Sequence, residues 1–283
     1  MIPNPIRKVL SSMRAHRVRA LLMGGQACVF YGAAEFSRDT DFAILADGAN
    51  LARLRQALAE LRAEPIAVPP FDAKYLRRGH AIHFRCQHPE AFRMRVDVMS
   101  KMRGVEPFAK LWKRRTTLQI PGGEKCDLLS LPDLVQAKKT QRDKDWPMIR
   151  RLLEAHYFGN QVRPKPAQIR FWFQELRTPE LLLELAGRHP AICRRLAKQR
   201  PALVNAPTGK LDALQQALLA EETAERQRDR EYWRPLRQEL EKLRHANFEQ
   251  RTTEKRRLRE LRQLTRIFQP HLQPARLDRR KPR

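Results

Sequence analysis

The sequence predicts an α+β protein, with a mixed sheet and flanking helices in its first part and an all-helical region in its second. Up to about residue 157, short apolar runs that end at Gly or Pro alternate with segments of helical period. After the Pro-containing stretch 159–168, no strand pattern is found. These observations predict three parts: residues 1–158, a basic helical region over 159–268, and a disordered basic tail over 269–283.

The N-terminal part begins with alternating helices and strands. The apolar pattern predicts helices over residues 6–17, 26–32 and 49–64. It predicts strands over residues 19–25 and 40–45. The strand over 19–25 is short and buried and ends at two glycines, and the helix over 49–64 has a clear 3.6-residue period.

The rest of the N-terminal part continues with hairpins and two helices. Residues 80–86 and 92–99 are rich in β-forming residues and flank QHPEA, which predicts a hairpin. Two further short strands, 116–120 and 125–129, flank a Pro-Gly-Gly segment. Helices are predicted over 131–142, which has Pro and Asp near its start, and over 145–157.

The C-terminal part contains only helical patterns. Short helices separated by proline are predicted over 169–176, 178–188 and 190–199. Residues 209–268 are almost free of helix breakers, with Pro235 the exception, which predicts either one long helix or a helical hairpin.

The charge balance points to a polyanionic partner. The chain has 57 Lys and Arg against 31 Asp and Glu, a net charge of +26, and residues 151–283 hold 30 of the basic and 16 of the acidic residues. Nucleic acid, and RNA in particular, is the simplest partner. The predicted nucleic-acid contacts are five arginines on one basic helical stretch: Arg256, Arg257, Arg259, Arg262 and Arg266.

Other partners and compartments are disfavoured by composition. No segment approaches the roughly 18 apolar residues of a spanning helix, so no membrane association is expected. The N-terminus lacks a signal-peptide pattern, and the four cysteines show no Cys-x-x-Cys spacing. A cytoplasmic protein with reduced thiols is therefore expected.

Two aspartates at the start of a predicted strand suggest a metal site. Asp39 and Asp41 lie two residues apart, so their side chains share one face of the strand. Neighbouring carboxylates repel unless a cation lies between them, and Mg²⁺ is the usual hard-oxygen-binding ion beside phosphates. Gly24 and Gly25, at the end of the preceding strand, would let backbone amides approach a phosphate. A metal beside a phosphate site suggests a nucleoside triphosphate as ligand.

These residues resemble the polymerase-β-like nucleotidyltransferase superfamily, in particular its small bacterial minimal and toxin-type (abortive-infection) members. The resemblance rests on Gly-Gly followed by Asp-Thr-Asp, on a third acid, Asp97, within Arg-Val-Asp-Val, and on the helical segment DLVQAKKTQRDKDW over 133–146. It covers about residues 19–157 and implies a minimal nucleotidyltransferase fold for the N-terminal part. It also implies that Asp39, Asp41 and Asp97 are catalytic and hold one or two Mg²⁺ ions.

The resemblance further implies a set of nucleotide-binding residues, which are Gly24, Gly25, Arg38, Lys138, Arg142, Lys144 and Asp145. The chain departs from its relatives around Arg38, since many of them place an arginine three or four residues before the first acid. For Lys138, Arg142 and Lys144, the alternative to nucleotide binding is that they form a solvated basic face of the helix. Position 138 follows the apolar positions 131, 134 and 135 at helical spacings, so Lys138 is preferred over Lys139 for the triphosphate.

The reaction implied is transfer of a nucleoside monophosphate from a nucleoside triphosphate to an acceptor hydroxyl, with Mg²⁺ as cofactor. The basic charge favours RNA as acceptor, with a tRNA 3′ end as the specific version. Two alternatives stay open: an enzyme that adenylylates a protein, and a non-catalytic nucleic-acid-binding protein on a degenerate nucleotidyltransferase fold. The toxin-type relatives also imply a role in phage defence, with an antitoxin or another protein as partner.

Overall fold

The computed structural model describes residues 4–119 and 125–267. Its strands are β1 (Ala20–Met23), β2 (Asp39–Ile44), β3 (Ala63–Pro65), β4 (Ile82–Cys86), β5 (Arg95–Met99), β6 (Thr116–Gln119) and β7 (Lys125–Leu128). Its helices are α1 (Asn4–Ala15), α2 (Gly24–Phe30), α3 (Gly48–Glu60), α4 (Ala73–Arg78), α5 (Phe108–Lys113), α6 (Leu131–Lys138), α7 (Asp145–Asn160), α8 (Pro166–Glu175), α9 (Pro179–Arg188), α10 (Pro190–Ala197) and α11 (Leu211–Ile267). Two 3-10 helices cover Pro89–Ala91 and Pro201–Thr208.

The strands form one mixed sheet of seven strands in the order β3-β4-β5-β2-β1-β7-β6. The central pair β2 and β5 is parallel, as is β1 with β7, and the other neighbours are antiparallel. The predicted α+β class, with a mixed sheet followed by helices, is confirmed. The hairpin of β4 and β5 was predicted. The helix predicted over 49–64 ends at Glu60, and the short strand β3 follows it. Helices α4 and α5 were not predicted, because six residues are too few to show a period.

A buried asparagine fixes the beginning of β1 against the end of β2. The side-chain amide of Asn50, on α3, donates to the carbonyls of Arg19 and Leu45, and its oxygen accepts from the Arg19 amide. The helix begins here because Asp47 caps it by accepting from the Asn50 amide. Strands β1 and β2 are thereby joined at one end of their pairing, and Met23 pairs with Asp41 at the other end.

The helices after α7 pack as a group in which a buried arginine replaces water as the partner of helix ends. Arg200 is 7% exposed and donates to the carbonyls of Phe173 and Leu176 at the end of α8, and to Glu221 on α11. This arrangement satisfies carbonyls that a helix C-terminus leaves without partners.

Helix α11 is a single helix of 57 residues, so the hairpin alternative is wrong. Its first turns pack on the core through Leu214 and Leu218. The chain divides into two compact units, of which the first ends at Gln238 and the second begins at Glu239. The predicted division near residue 158 stays a prediction. Among the described residues, no helix has both the length and the apolar character needed to cross a membrane.

Candidate active site

Three aspartates on two neighbouring parallel strands line one cavity. Asp41 on β2 lies opposite Asp97 on β5 in the register of the pair, and Asp39 precedes Asp41 by two positions. Opposed residues of adjacent strands, and alternate residues of one strand, share a face of the sheet. All three aspartates accordingly line the same cavity, which has a volume of about 620 Å³.

The glycine pair at the beginning of α2 makes room for Asp41. Gly24 has φ +65°, and a Cβ placed there would lie 1.9 Å from Asp41 Oδ2. A Cβ on Gly25 would lie 2.6 Å from Ser37 Oγ. The Gly25 amide donates a hydrogen bond to the Asp41 carboxylate, which favours its ionised form. The Gly25 amide thus lies beside Asp41, and its contact with a phosphate stays a prediction.

The third aspartate has two basic neighbours. Asp97 Oδ1 accepts from Arg95 Nε at 2.8 Å and lies 2.9 Å from His83 Nδ1. Arg95 Nη2 is 3.0 Å from the same His83 nitrogen. Burial acts to raise the pKa of Asp97, but the hydrogen bonds from His83 and Arg95 outweigh it, so the pKa is below its ordinary value. Asp97 is consequently a stable carboxylate at neutral pH.

Asp41 has the opposite electrostatic environment. The pKa of Asp41 is raised to about 6, first by burial and then by the negative charges of Asp97 and Asp39. Lys138 and the Gly25 amide act in the other direction and do not compensate. The cluster thus contains one carboxylate whose charge is poorly compensated by the protein's own groups.

The chemistry of this cluster fits a hard divalent cation. As they stand, no three His, Cys, Asp or Glu side chains in the described parts of the chain are arranged to hold a metal ion. The three aspartates nevertheless offer carboxylate oxygens, the ligands that Mg²⁺ prefers, on one face and in one cavity. A cation among them would relieve the repulsion that raises the pKa of Asp41.

A buried ion pair forms the basic side of the cavity. Lys138, the last residue of α6, places Nζ 3.2 Å from Asp145 Oδ1, and both residues are buried. Asp145 Oδ2 accepts from Thr140 Oγ1 at 2.6 Å and from Arg142 Nε at 2.7 Å. The pKa of Asp145 is lowered, because the positive charge of Lys138 and these hydrogen bonds outweigh burial. Asp145 thus holds a lysine and an arginine beside the aspartates.

The helix predicted through residue 142 ends at Lys138. It begins as predicted, with Ser130 accepting from the Asp133 amide as N-cap and Pro132 in the first turn. Its end differs because the Thr140 amide bonds to the Lys138 carbonyl and the Thr140 hydroxyl to Asp145, which turns the chain out of the helix.

The second lysine has a different partner. Lys139 Nζ binds Glu175 at the end of α8 at 2.8 Å, and the Lys139 carbonyl accepts from Arg103 Nη2 at 2.6 Å. Both lysines line the cavity, but of the two it is Lys138 whose charge acts on the pKa of Asp41.

Helix α11 contributes a wall of the cavity that the sequence did not predict. Asp229, Trp233 and Arg237 recur every four residues, so they form one stripe, and all three line the cavity. Asp229 is 2% exposed and accepts from the Gln141 amide, from Trp233 Nε1 and from Arg103 Nε. The available sequence signal was a Tyr-Trp pair within a highly charged helix, which is typical of a helix turn that packs against the protein.

Most of the predicted site residues meet in this cavity, and one does not. The cavity is lined by Gly24, Gly25, Asp39, Asp41, Asp97, Lys138, Arg142, Lys144 and Asp145. Arg38 is exposed and is not among its lining residues.

The predicted nucleic-acid contacts lie on the last part of α11. Arg257 is exposed. The side chains of Arg256, Arg259, Arg262 and Arg266, and the predicted tail 269–283, lie outside what the structure describes.

In comparisons with known proteins, no family model matches the chain and no curated protein matches it either.

Proposed function

We propose that this chain is a Mg²⁺-dependent nucleotidyltransferase that moves a nucleoside monophosphate from a nucleoside triphosphate to an acceptor hydroxyl. The observation that carries the proposal is the in-register pair of Asp41 and Asp97, in one cavity with Asp39. The basic groups that line the same cavity, Lys138, Arg142 and Lys144, supply the positive charge that a triphosphate needs.

In the proposed reaction, the acceptor oxygen attacks the α-phosphorus of the triphosphate. A new P–O bond to the acceptor forms, the bond between the α-phosphorus and its bridging oxygen to the β-phosphate breaks, and pyrophosphate leaves. The hydroxyl proton passes to solvent or to a carboxylate of the cluster. A Mg²⁺ ion bound by Asp39, Asp41 and Asp97 would neutralise charge and lower the pKa of the attacking hydroxyl.

The residues around the aspartates have separate roles in this proposal. Lys138 and Arg142 bind phosphate oxygens, and Asp145 positions both through its contacts with Lys138 Nζ and Arg142 Nε. Trp233 offers its indole ring to the nucleobase. Its Nε1 is 3.0 Å from Asp229 Oδ1, so the ring has a fixed orientation at the cavity wall.

RNA is the proposed acceptor, and a tRNA 3′ end its specific version. The support is the net charge of +26, which favours polyanions over neutral small molecules or typical protein surfaces. The test below distinguishes RNA as acceptor from a protein hydroxyl as acceptor, and both of these from a protein that only binds RNA.

The test incubates the protein with MgCl₂, total RNA and each α-³²P-labelled nucleoside triphosphate in turn, followed by separation of RNA and protein. Label in RNA, lost with Asp97→Asn and with EDTA, is the expected result. Label in protein alone would assign a protein acceptor. RNA binding without any release of pyrophosphate would overturn the enzymatic proposal and leave the binding protein.

A further inference from the structure

A second cavity, of about 340 Å³, is surrounded by positive charge. Its lining includes five cationic side chains, all exposed: Arg14, Arg17, Arg19, Arg53 and Lys125. Phe42 is the one residue that it shares with the lining of the aspartate cavity. None of the residues assigned above to nucleotide or metal binding takes part in it.

Within the described residues, the positive charges of this second cavity lack nearby counter-charges. Asp127 is the one acidic residue in the lining, and it is already bound by Arg115 Nε at 3.0 Å and by the Thr117 hydroxyl at 2.5 Å. In residues 4–119 and 125–267, none of the five cations forms an ion pair. Like charges gathered without counter-charges destabilise a fold, so a bound anion would stabilise this one.

The backbone that carries these cations is well ordered by hydrogen bonds. After α1, the Arg17 amide donates to the Arg14 carbonyl at 2.8 Å, with Arg17 in the left-handed region at φ +52°. The Arg19 amide donates to the buried Asn50 at 2.7 Å. The Val18 amide donates to the Met13 carbonyl at 2.9 Å, so this turn ends α1 as a Schellman motif and has a defined geometry.

An aromatic ring contacts two guanidinium groups beside the cavity, that of Arg19 and that of Arg115. Trp112 lines it, stacks on Phe108 with 5.6 Å between ring centroids, and has the Arg115 guanidinium 4.2 Å from its own ring centroid. The Arg19 guanidinium lies 6.0 Å from the same ring. Because Phe108 and Arg115 already contact this ring, we expect the cavity to accept phosphates rather than a stacked base.

We propose that this second cavity binds the phosphodiester backbone of RNA. Arginine predominates among the cations of the cavity, and the planar guanidinium group of arginine matches the geometry of phosphate oxygens. The inference rests on the proposed function in that RNA is the partner, but it concerns binding and needs no catalysis. It places an RNA contact on the N-terminal part of the chain, apart from the basic stretch of α11 predicted from the sequence.

The test compares two triple variants with equal loss of charge. The cavity variant is Arg14→Gln, Arg17→Asn and Arg53→Gln. Asn is chosen at position 17 because it tolerates the left-handed backbone there. Arg19 is not substituted, because it contacts Trp112. The control is Arg151→Gln, Arg170→Gln and Arg194→Gln, which removes exposed arginines of α7, α8 and α10 outside both cavities. Thermal unfolding establishes that both variants fold.

The measured quantity is the Kd for a fluorescein-labelled single-stranded RNA over a range of KCl concentrations. For the cavity variant we expect weaker binding and a salt slope shallower by up to about 0.7 log units per lost phosphate contact, hence about 2 for three contacts. The control should differ little from the unmodified protein. Equal changes in both variants would overturn the inference, because charge alone would then explain them.

Failure of this inference and failure of the proposed function give different results. Unchanged RNA affinity of the cavity variant, with label transfer intact, would reject the second cavity only. Absence of RNA binding by the unmodified protein at low salt would reject both the cavity and RNA as acceptor. Loss of label transfer in Asp97→Asn, with RNA binding unchanged, would leave the cavity independent of the catalytic proposal.

Discussion

Gly24 and Asp41 are packed so closely that no side chain fits between them. A Cβ on Gly24 would lie 1.9 Å from Asp41 Oδ2 and 2.5 Å from its Cγ, well inside any contact distance. Because Asp41 is opposite Asp97 on the parallel strand β5, the turn after β1 determines where the carboxylate cluster lies. The glycine is therefore required by the site as well as by the turn.

Gly24→Ala should displace Asp41 and abolish label transfer. Gly32→Ala is a matched control, since Gly32 also has positive φ, +75°, but a Cβ there meets nothing within 4 Å. Each substitution should cost about 1–2 kcal/mol for the left-handed backbone. Label transfer and the free energy of unfolding would be measured for both. Transfer retained by Gly24→Ala would contradict the close packing as a functional requirement.

Asp41→Asn should change how stability depends on pH. The pKa of Asp41 is raised from 3.8 to about 6 in the folded protein, so the folded state binds its proton more tightly than the unfolded state. Metal-free stability should therefore fall as pH rises from about 4 to about 6 and then stay level. The asparagine removes this fall and should make the metal-free protein more stable at pH 7, by about 1–3 kcal/mol.

The measurement is urea unfolding at pH 4, 5, 6 and 7 in EDTA. Asp143→Asn is a charge-matched control at a side chain that is 98% exposed. Added MgCl₂ should stabilise the unmodified protein more at pH 7 than at pH 5, because cation binding requires an ionised Asp41, and should have little effect on Asp41→Asn. Equal Mg²⁺ stabilisation of both proteins would exclude Asp41 as a ligand.

Lys138 and Lys139 should differ in catalysis although both are buried. Each forms an ion pair, with Asp145 and Glu175 respectively, so either alanine substitution should lower stability, on the order of 1–3 kcal/mol. Lys138→Ala should in addition raise KM for the triphosphate or lower kcat, because its charge reaches the aspartates. Lys139→Ala should leave both constants near their original values at a temperature where the variants are folded. The reverse pattern would assign the phosphate contact to Lys139.

The sequence predicted the local part of this site well. Asp39 and Asp41 share a face because strand geometry imposes it, and Asp97 lies in a hairpin that was predicted from its β-forming residues. Arg95 lies two positions before Asp97 on the same strand face, whereas the proximity of His83 was not predicted because it depends on the register of β4 and β5. Local patterns carry no information on such register.

Contacts between distant parts of the chain were missed for the same reason. Arg103 joins the Lys139 carbonyl to Asp229 and Glu225 on α11, more than 120 residues away in sequence. The pattern of α11 showed a helix, but not which of its faces would meet the loop after α6. Which residues of a long helix enter a site is determined by tertiary packing, which periodicity alone does not define.

Trp233→Leu should weaken binding of nucleoside triphosphates but not of tripolyphosphate, which lacks a base. Loss of one base–aromatic stack costs about 1–3 kcal/mol, which is about 5- to 150-fold in KM. Trp233→Phe should recover most of the affinity, although it too lacks the hydrogen bond to Asp229. Inhibition by tripolyphosphate reports the phosphate site separately. An equal loss for both ligands, or no recovery with Phe, would show that Trp233 acts by holding α11 in place.

Deletion of residues 251–283 should weaken RNA binding and leave nucleotide turnover intact. The deleted segment holds 12 Lys and Arg against 3 Asp and Glu, so the chain loses 9 net positive charges. The salt slope of RNA binding should become shallower by up to about 0.7–0.9 log units per lost phosphate contact. The last residue lining the aspartate cavity is Arg237, so pyrophosphate release at saturating RNA should continue at the original rate. Unchanged RNA affinity and salt slope would mean that the arginines from 256 to 266 only increase solubility, and would leave the second cavity as the main RNA contact.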